Sequence, residues 1–220
     1  MGQLESWQSE YAVEWASDDV LAELLELPRR ISIALVRDAD VPVGQVIDLG
    51  SGHGPYLERF LDAFPDARGT WVDSSEEMHA LAQQRLARFG DRVRYVLADV
   101  ERLEEAAIER ASVIVTSRVL HHFSPESLQR LYRAAHGLLE PGGFFFNLDH
   151  VGAAGDWEQR FRRIRPQFIP ERKRELKPHR HDYPLARAEE HADWLRAAGF
   201  EAPDSAWRTL YSVLLVAQKR

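Results

Sequence analysis

Three alternate glycines, Gly50, Gly52 and Gly54, follow the apolar segment "QVIDL" and lead into the amphipathic stretch "PYLERFLDAF". Glycines in that place let the backbone bend tightly and bring its amides against a ligand with no Cβ atoms in the way, and the following helix presents its N-terminal N–H groups there. Spacing narrows the choice of ligand. A dinucleotide fingerprint counted from Gly50 needs glycine at position 55, where Pro55 stands, and no G-K-[ST] run follows to cradle a phosphate chain. Three carboxylates, Asp48, Asp73 and Asp99, close successive apolar runs. At the ligand edge of an open α/β sheet a carboxylate accepts from ribose hydroxyls, an ammonium or an adenine amino group, so the trio suits a neutral or cationic nucleoside better than a triphosphate. Bases stand on the same edge: His121 and His122 after the fourth run, Asp149 and His150 after the fifth. An imidazole there titrates near the pH at which it takes a proton from a hydroxyl or amine. One of two adjacent histidines often packs structurally, so the choice falls on His122 or His150, with His121 the third candidate. His179, His181 and Asp182 offer a rival, metal-binding use, but nothing fixes a ligand count and no metal is assigned.

Those residues need a scaffold, and the chain supplies one. From residue 44, apolar runs of strand length ("QVIDL", "GTWVD", "VRYVLAD", "ASVIVTS", "GGFFFNLDH") alternate with helix-period stretches ("PYLERFLDAF", "SSEEMHALAQQRLARF", "SPESLQRLYRAAHGLL"). That order implies βαβ units and a mainly parallel sheet covered on both faces. Ser124 before Pro125 reads as an N-cap with proline in the first turn, Ser74 with Glu77 has capping-box spacing, and "PGG" at 141–143 turns a helix into the next strand. The final segment "TLYSVLLVAQKR" is apolar enough to be buried in the sheet.

The 220 residues suit one domain, 1–220, with two additions outside the alternation. Residues 1–40 read as an N-terminal helical lid with Trp7, Tyr11, Trp15, Leu21, Leu24 and Leu25 as its apolar positions; residues 151–183 read as a cap-like insertion before the helix "ARAEEHADWLRAAG". A net charge of −7 argues against wholesale nucleic-acid affinity, although Arg160 to Arg180 is strongly basic. The absence of cysteine excludes disulfides and thiolate chemistry and fits a reducing cytosol. The start "MGQLESWQSE" lacks a secretory pattern and no apolar run approaches the roughly 18 residues of a bilayer span, so the expectation is a cytoplasmic protein without a membrane partner, monomeric or homodimeric.

In order and at strand ends, "VIDLGSGHG", "VDSSEEM", "LADV", "VTSRVLHHF" and "LLEPGGFFF" closely resemble the class I methyltransferases that use S-adenosylmethionine, of the small-molecule type. The resemblance runs from residue 44 to about 149, and "FEAPDSAW" with "TLYSVLLVAQ" looks like that family's closing antiparallel hairpin. It implies a doubly wound, Rossmann-like, seven-stranded, mainly parallel α/β sheet with a C-terminal antiparallel strand. It also implies S-adenosylmethionine as cofactor and S-adenosylhomocysteine as product. Asp48 with the Gly50, Ser51, Gly52, Gly54 turn then looks like the methionine-binding segment, Asp73 the ribose carboxylate, Ser74 and Met78 the adenine flank, Asp99 and Val100 the reader of the adenine amino edge. Ser117, Arg118 and Val119 look like the wall beside the methionine, opening onto the acceptor, and His53 stands where the family often has a small residue or threonine. Additions after the fifth strand often cover the acceptor in this family. The basic insertion would clamp a small carboxylate or phosphate with one or two arginines, or bind RNA with many. The acidic remainder favours O- or N-methylation of a small molecule, with a tRNA or rRNA methyltransferase and a non-catalytic cofactor-binding protein as the alternatives.

Overall fold

The computed structural model describes residues 19–168 and 183–220, with side chains from residue 23 onward. Helix α1 (Asp19–Asp38) precedes an alternating run: β1 (Gln45–Leu49), α2 (Pro55–Ala63), β2 (Arg68–Asp73), α3 (Glu76–Leu86), β3 (Val93–Leu97), β4 (Ala111–Ser117), α4 (Pro125–Leu138) and β5 (Leu139–His150). Then come α5 (Trp157–Ile164), α6 (Ala188–Ala197), β6 (Glu201–Thr209) and β7 (Ser212–Gln218). The strands make one sheet in the order β3-β2-β1-β4-β5-β7-β6. β1 to β5 are parallel, and β7 runs antiparallel between β5 and β6. This is the expected doubly wound sheet with its closing hairpin. The order reverses between β1 and β4, so the crevice for a ligand lies at the carboxyl ends of those two strands.

Successive strand residues point to opposite faces, and both faces are covered, which is why the strands read as apolar runs. One face packs Val46, Trp71, Val113, Val115 and Phe146 against Leu25, Ile33 and Val36 of α1, Tyr56, Leu57 and Phe60 of α2, and Met78, Ala82 and Leu86 of α3. The other packs Ile47, Leu49, Val72, Ile114 and Phe145 against Leu128, Leu131, Tyr132 and Ala135 of α4 and Leu195 of α6. The C-terminal half of the 1–40 segment is therefore core as well as helix; Trp7, Tyr11 and Trp15 lie outside the described residues.

Two local expectations shift. Helix α3 is capped by Ser75, not Ser74: the Ser75 hydroxyl accepts from the Met78 amide at 3.2 Å, while the Ser75 amide donates to Asp73 at 3.0 Å. The strand-end aspartate thus claims the first amide of the turn and delays the helix by one residue. Residues 141–143 do not end a helix ahead of the strand but fall within β5, where the register against β4 slips between Ala111 and Val113 and Gly142 takes a φ of +82°. The predicted caps at Ser124 and Pro125 are found, the Ser124 hydroxyl accepting from Ser127 at 3.1 Å.

Candidate active site

The glycine turn is built from below. Gly50, Gly52 and Gly54 all have positive φ (+64°, +55° and +85°), the region that side chains with a Cβ rarely adopt. A Cβ on Gly50 would collide with Val119, so the loop after β4 lies directly on the turn. The indole N–H of buried Trp71 donates to the Gly52 carbonyl at 2.7 Å, and the Ser51 amide donates to Val72 at 3.0 Å. β2 thereby fixes the shape of the turn that β1 enters.

Asp48 is 1% exposed and bound on one oxygen, which accepts from the Ser51 hydroxyl at 2.7 Å and the Leu57 amide at 3.1 Å. It ties the turn to the first turn of α2. Burial pushes its carboxyl up to about 6 against those two hydrogen bonds and the Arg29 charge. Asp73 accepts from the Gly52 amide at 2.8 Å through one oxygen and from Ser75 through the other; burial raises it too. The Ser74 amide bonds the same carboxylate, and of the about four lone-pair sites it offers one remains for a ribose hydroxyl. Asp99 is exposed and caps the short helical turn at Val100–Glu105, accepting from the Glu101 amide at 2.9 Å, with Val100 buried beneath it. Met78 is buried at 2%, Ser74 is exposed, and His53 is pushed down to about 4 by burial, with the Arg85 and Arg29 charges adding to it.

On the opposite wall, Ser117 ends β4 with a buried hydroxyl that has no hydrogen-bond partner among the described residues. Arg118 follows at φ +64°, a strained position for a residue with a side chain, and its amide donates to Leu148 at 3.0 Å. An orphaned hydroxyl, a turn shaped to exclude Cβ atoms and two strand-end carboxylates with spare lone pairs fit a bound nucleoside carrying a polar tail.

The histidines converge on Asp149. Asp149 takes the His121 amide at 3.0 Å on one oxygen; on the other it takes the His150 amide at 2.8 Å and stands 2.5 Å from His121 Nδ1. The two side chains are 1% and 2% exposed. Burial alone would raise the Asp149 carboxyl, but the His121 ring, the His150 amide and the Arg118 charge outweigh it and hold the group at about 2. Asp149 is therefore a carboxylate, which only accepts, so Nδ1 of His121 carries a hydrogen toward it and Nε2 is the ring's other nitrogen. The His122 ring lies 4.1 Å from that of His121 and the His150 ring 5.3 Å, with His150 Nδ1 3.2 Å from the Ser212 hydroxyl. All three candidate histidines thus share one cluster. Asp149, not singled out on its own in the sequence, is what organises them; its only signal was its place beside His150 at the end of an apolar run.

The remaining basic insertion is partly seen. Arg160 and Arg162 on α5 pair with Asp156 and Glu158 one turn earlier, at 3.2 and 2.8 Å. A cleft of about 360 Å³ opens between Gly152, Ala153 and Ala154 after β5, Trp157 and Phe161 on α5, and Arg187 and Glu189 at the start of α6, with Arg208 of β6. His179, His181 and Asp182 lie outside the described residues. No helix among the described residues is long and apolar enough to cross a membrane.

Known proteins share parts of this chain and its fold. Residues 46–143 match the model of a methyltransferase domain. The chain is 29% identical over 99 residues to the 3-amino-4-hydroxybenzoate 4-O-methyltransferase of Streptomyces cremeus, which takes in 44% of this chain and 26% of that protein. It is 31% identical over 119 residues to aclacinomycin 10-hydroxylase RdmB of Streptomyces purpurascens, across 54% of this chain and 31% of the relative. A shorter match, 42% over 55 residues, is to the ribosomal RNA small subunit methyltransferase H of a Picosynechococcus, 25% of this chain and 19% of that one. The chain thus spans a third or less of these relatives. Among solved structures, magnesium protoporphyrin IX methyltransferase from Synechocystis with bound S-adenosylhomocysteine superimposes with a TM-score of 0.69 over 98% of this chain and 97% of that one, at 17% identity, a likeness of fold. Residues 46–143 therefore match a methyltransferase domain, and the seven-stranded sheet built around them has the fold of that methyltransferase structure.

Proposed function

We propose that this protein transfers the methyl group of S-adenosylmethionine to a hydroxyl or amine of a small, anionic acceptor and releases S-adenosylhomocysteine. The observation that carries the reading is the His121–Asp149 pair, two residues beyond the Val119 that lies on the glycine turn. The fold alone does not assign methyl transfer, since one relative is a hydroxylase by name. A base with a fixed tautomer beside the cofactor turn is what the transfer to a protonated nucleophile needs.

When bound, the cofactor supplies a methyl group already activated by a sulfonium. The Gly50–Gly54 turn and Asp48 hold its amino-acid end, Asp73 its ribose, and Asp99 with Val100 its adenine, flanked by Ser74 and Met78; Ser117 and Arg118 wall the transfer site. Holding nucleophile and methyl carbon in line supplies much of the acceleration. His121 Nε2 accepts the proton that the acceptor hydroxyl or amine loses, and Asp149 stabilises the imidazolium that forms, without itself becoming protonated, because its carboxyl is held at about 2. His150 and His122 pack the ring in place. The acceptor atom gains the methyl and loses its proton to the imidazole, so it ends neutral, while the electrons of the broken carbon–sulfur bond stay on sulfur.

The acidic balance of the chain, a net charge of −7, favours such an acceptor over a ribosomal or transfer RNA. The described part of the 151–183 insertion, α5 with the residues before it, then acts as the cap over the acceptor. The test is methyl transfer from radiolabelled S-adenosylmethionine to a small-molecule extract and to bulk RNA, in parallel, at low and moderate salt. Label in the small-molecule fraction that is lost in Asp73→Ala supports the reading. Label in RNA alone, fading with salt, replaces it with the RNA alternative.

A further inference from the structure

Two guanidinium groups converge on one aromatic ring at the rim of the histidine cluster. Tyr211 is 9% exposed and is fixed to the end of β5, its carbonyl accepting from the Val151 amide at 2.8 Å. The His150 ring meets it edge-on at 4.8 Å between centroids. Arg162 and Arg165 lie 5.5 and 5.9 Å from the Tyr211 ring centroid. The two arginines differ in what neutralises them. Arg162 donates twice to one Glu158 oxygen, at 3.1 and 2.8 Å, and needs no further partner. Among the described residues Arg165 has no carboxylate partner, and its buried Nε has no hydrogen-bond partner there. An aromatic face attracts the charge but does not accept the N–H in the manner of an oxygen, so a buried donor of a permanent cation is left open beside a second cation. Such a group asks for an oxyanion.

We propose that Arg165, over Tyr211, is the seat of the acceptor's oxyanion, a carboxylate or a phosphate, and so a specificity-determining residue. The order Arg165, Tyr211, His150, His121 then spans the acceptor: its anionic group at the arginine, its nucleophile at the histidines. This rests on the methyltransferase reading and narrows it. Arg163, exposed near the end of α5 two residues earlier, is outside the seat and serves as the control.

The probes are benzoate, phenyl phosphate and uncharged benzamide, titrated into protein saturated with S-adenosylhomocysteine. The readout is the Nε–Hε proton signal of Arg165, assigned by its loss in Arg165→Gln. Benzoate or phenyl phosphate should shift that signal and bind at least tenfold more tightly than benzamide. Arg165→Gln should weaken the anion about tenfold and leave benzamide unchanged, and Arg163→Gln should behave as the wild type. Whichever of carboxylate and phosphate binds tighter names the source of the oxyanion. Equal binding of benzoate, phenyl phosphate and benzamide, or undiminished anion binding by Arg165→Gln, overturns the seat. Calorimetry with S-adenosylhomocysteine alone judges the parent reading: if the wild type does not bind it, the cofactor assignment fails irrespective of the anion data. If Arg165→Gln binds it as the wild type does, lost anion binding is not a folding defect.

Discussion

Asp149→Asn is the substitution that most directly tests the histidine cluster. It keeps the shape of the side chain and removes its charge. In the native protein three donors meet the carboxylate: the His121 and His150 amides and His121 Nδ1. An asparagine can turn its oxygen toward only one side, so its NH₂ must face at least one of those N–H groups. The electrostatic part follows from the carboxyl being held at about 2 against an ordinary 3.8, which is on the order of 2 kcal/mol. A donor left facing a donor adds about 1 kcal/mol. The expected loss at pH 7 is therefore about 3 kcal/mol, roughly 1 M in the urea midpoint of a domain this size.

The sign with pH is fixed. A carboxyl with a depressed folded pKa contributes its stability above its unfolded value, and loses it as the pH falls through the folded one. The gap between wild type and Asp149→Asn should hold from pH 7 to about 4 and shrink toward pH 2. Methyl transfer should fall by about 10² to 10⁴, the usual worth of a positioned base, with S-adenosylhomocysteine affinity within about twofold. A gap under about 0.5 kcal/mol at pH 7, or an unchanged transfer rate, would refute the pairing as the organiser of the site.

Gly50→Ala puts a Cβ at φ +64° against Val119, so stability should fall by about 1 to 3 kcal/mol and cofactor affinity with it; adding Val119→Ala should recover part of both, read by calorimetry. Asp73→Ala deprives the Gly52 and Ser75 amides of their acceptor and the ribose of its own, so S-adenosylhomocysteine affinity should drop at least tenfold. His191, 3% exposed and 2.6 Å from the Tyr132 hydroxyl, is pushed down to about 4 by burial. The unfolded chain takes up that proton first, so stability should fall between about pH 6.5 and 4 by roughly 3 kcal/mol, and His191→Gln should flatten urea midpoints over that window.

The sheet could be read from the chain because its cause is local. Val46 and Ile47 face opposite helical layers, so burial on both sides forces an unbroken apolar run, and the following Asp48 marks where the strand reaches the ligand edge. The glycine turn was legible for a similar reason, since a positive φ leaves its mark on residue choice. The Ser75 cap was not, because Ser74 satisfies the same spacing rule and the decision between them is made by a hydrogen bond to Asp73. The "PGG" bulge was missed on the same ground: the slip between Ala111 and Val113 is a property of the pairing of two strands.

The histidine cluster is the harder case. His121, His122 and His150 are equivalent as residue types, and adjacency in sequence says nothing about which ring a carboxylate will hold. β4 and β5 pair in register from Val113 and Phe144 to Ser117 and Leu148, and that register carries Asp149 to the amide of His121, four residues beyond the end of β4. Once the carboxylate is there, it holds the ring and amide of His121 and the amide of His150, a distinction that the residue types do not carry. The same pairing explains why a buried aspartate is tolerated. Three donors and a neighbouring ring offset its desolvation, so the group that would be the most costly in the core becomes the one that orders the site.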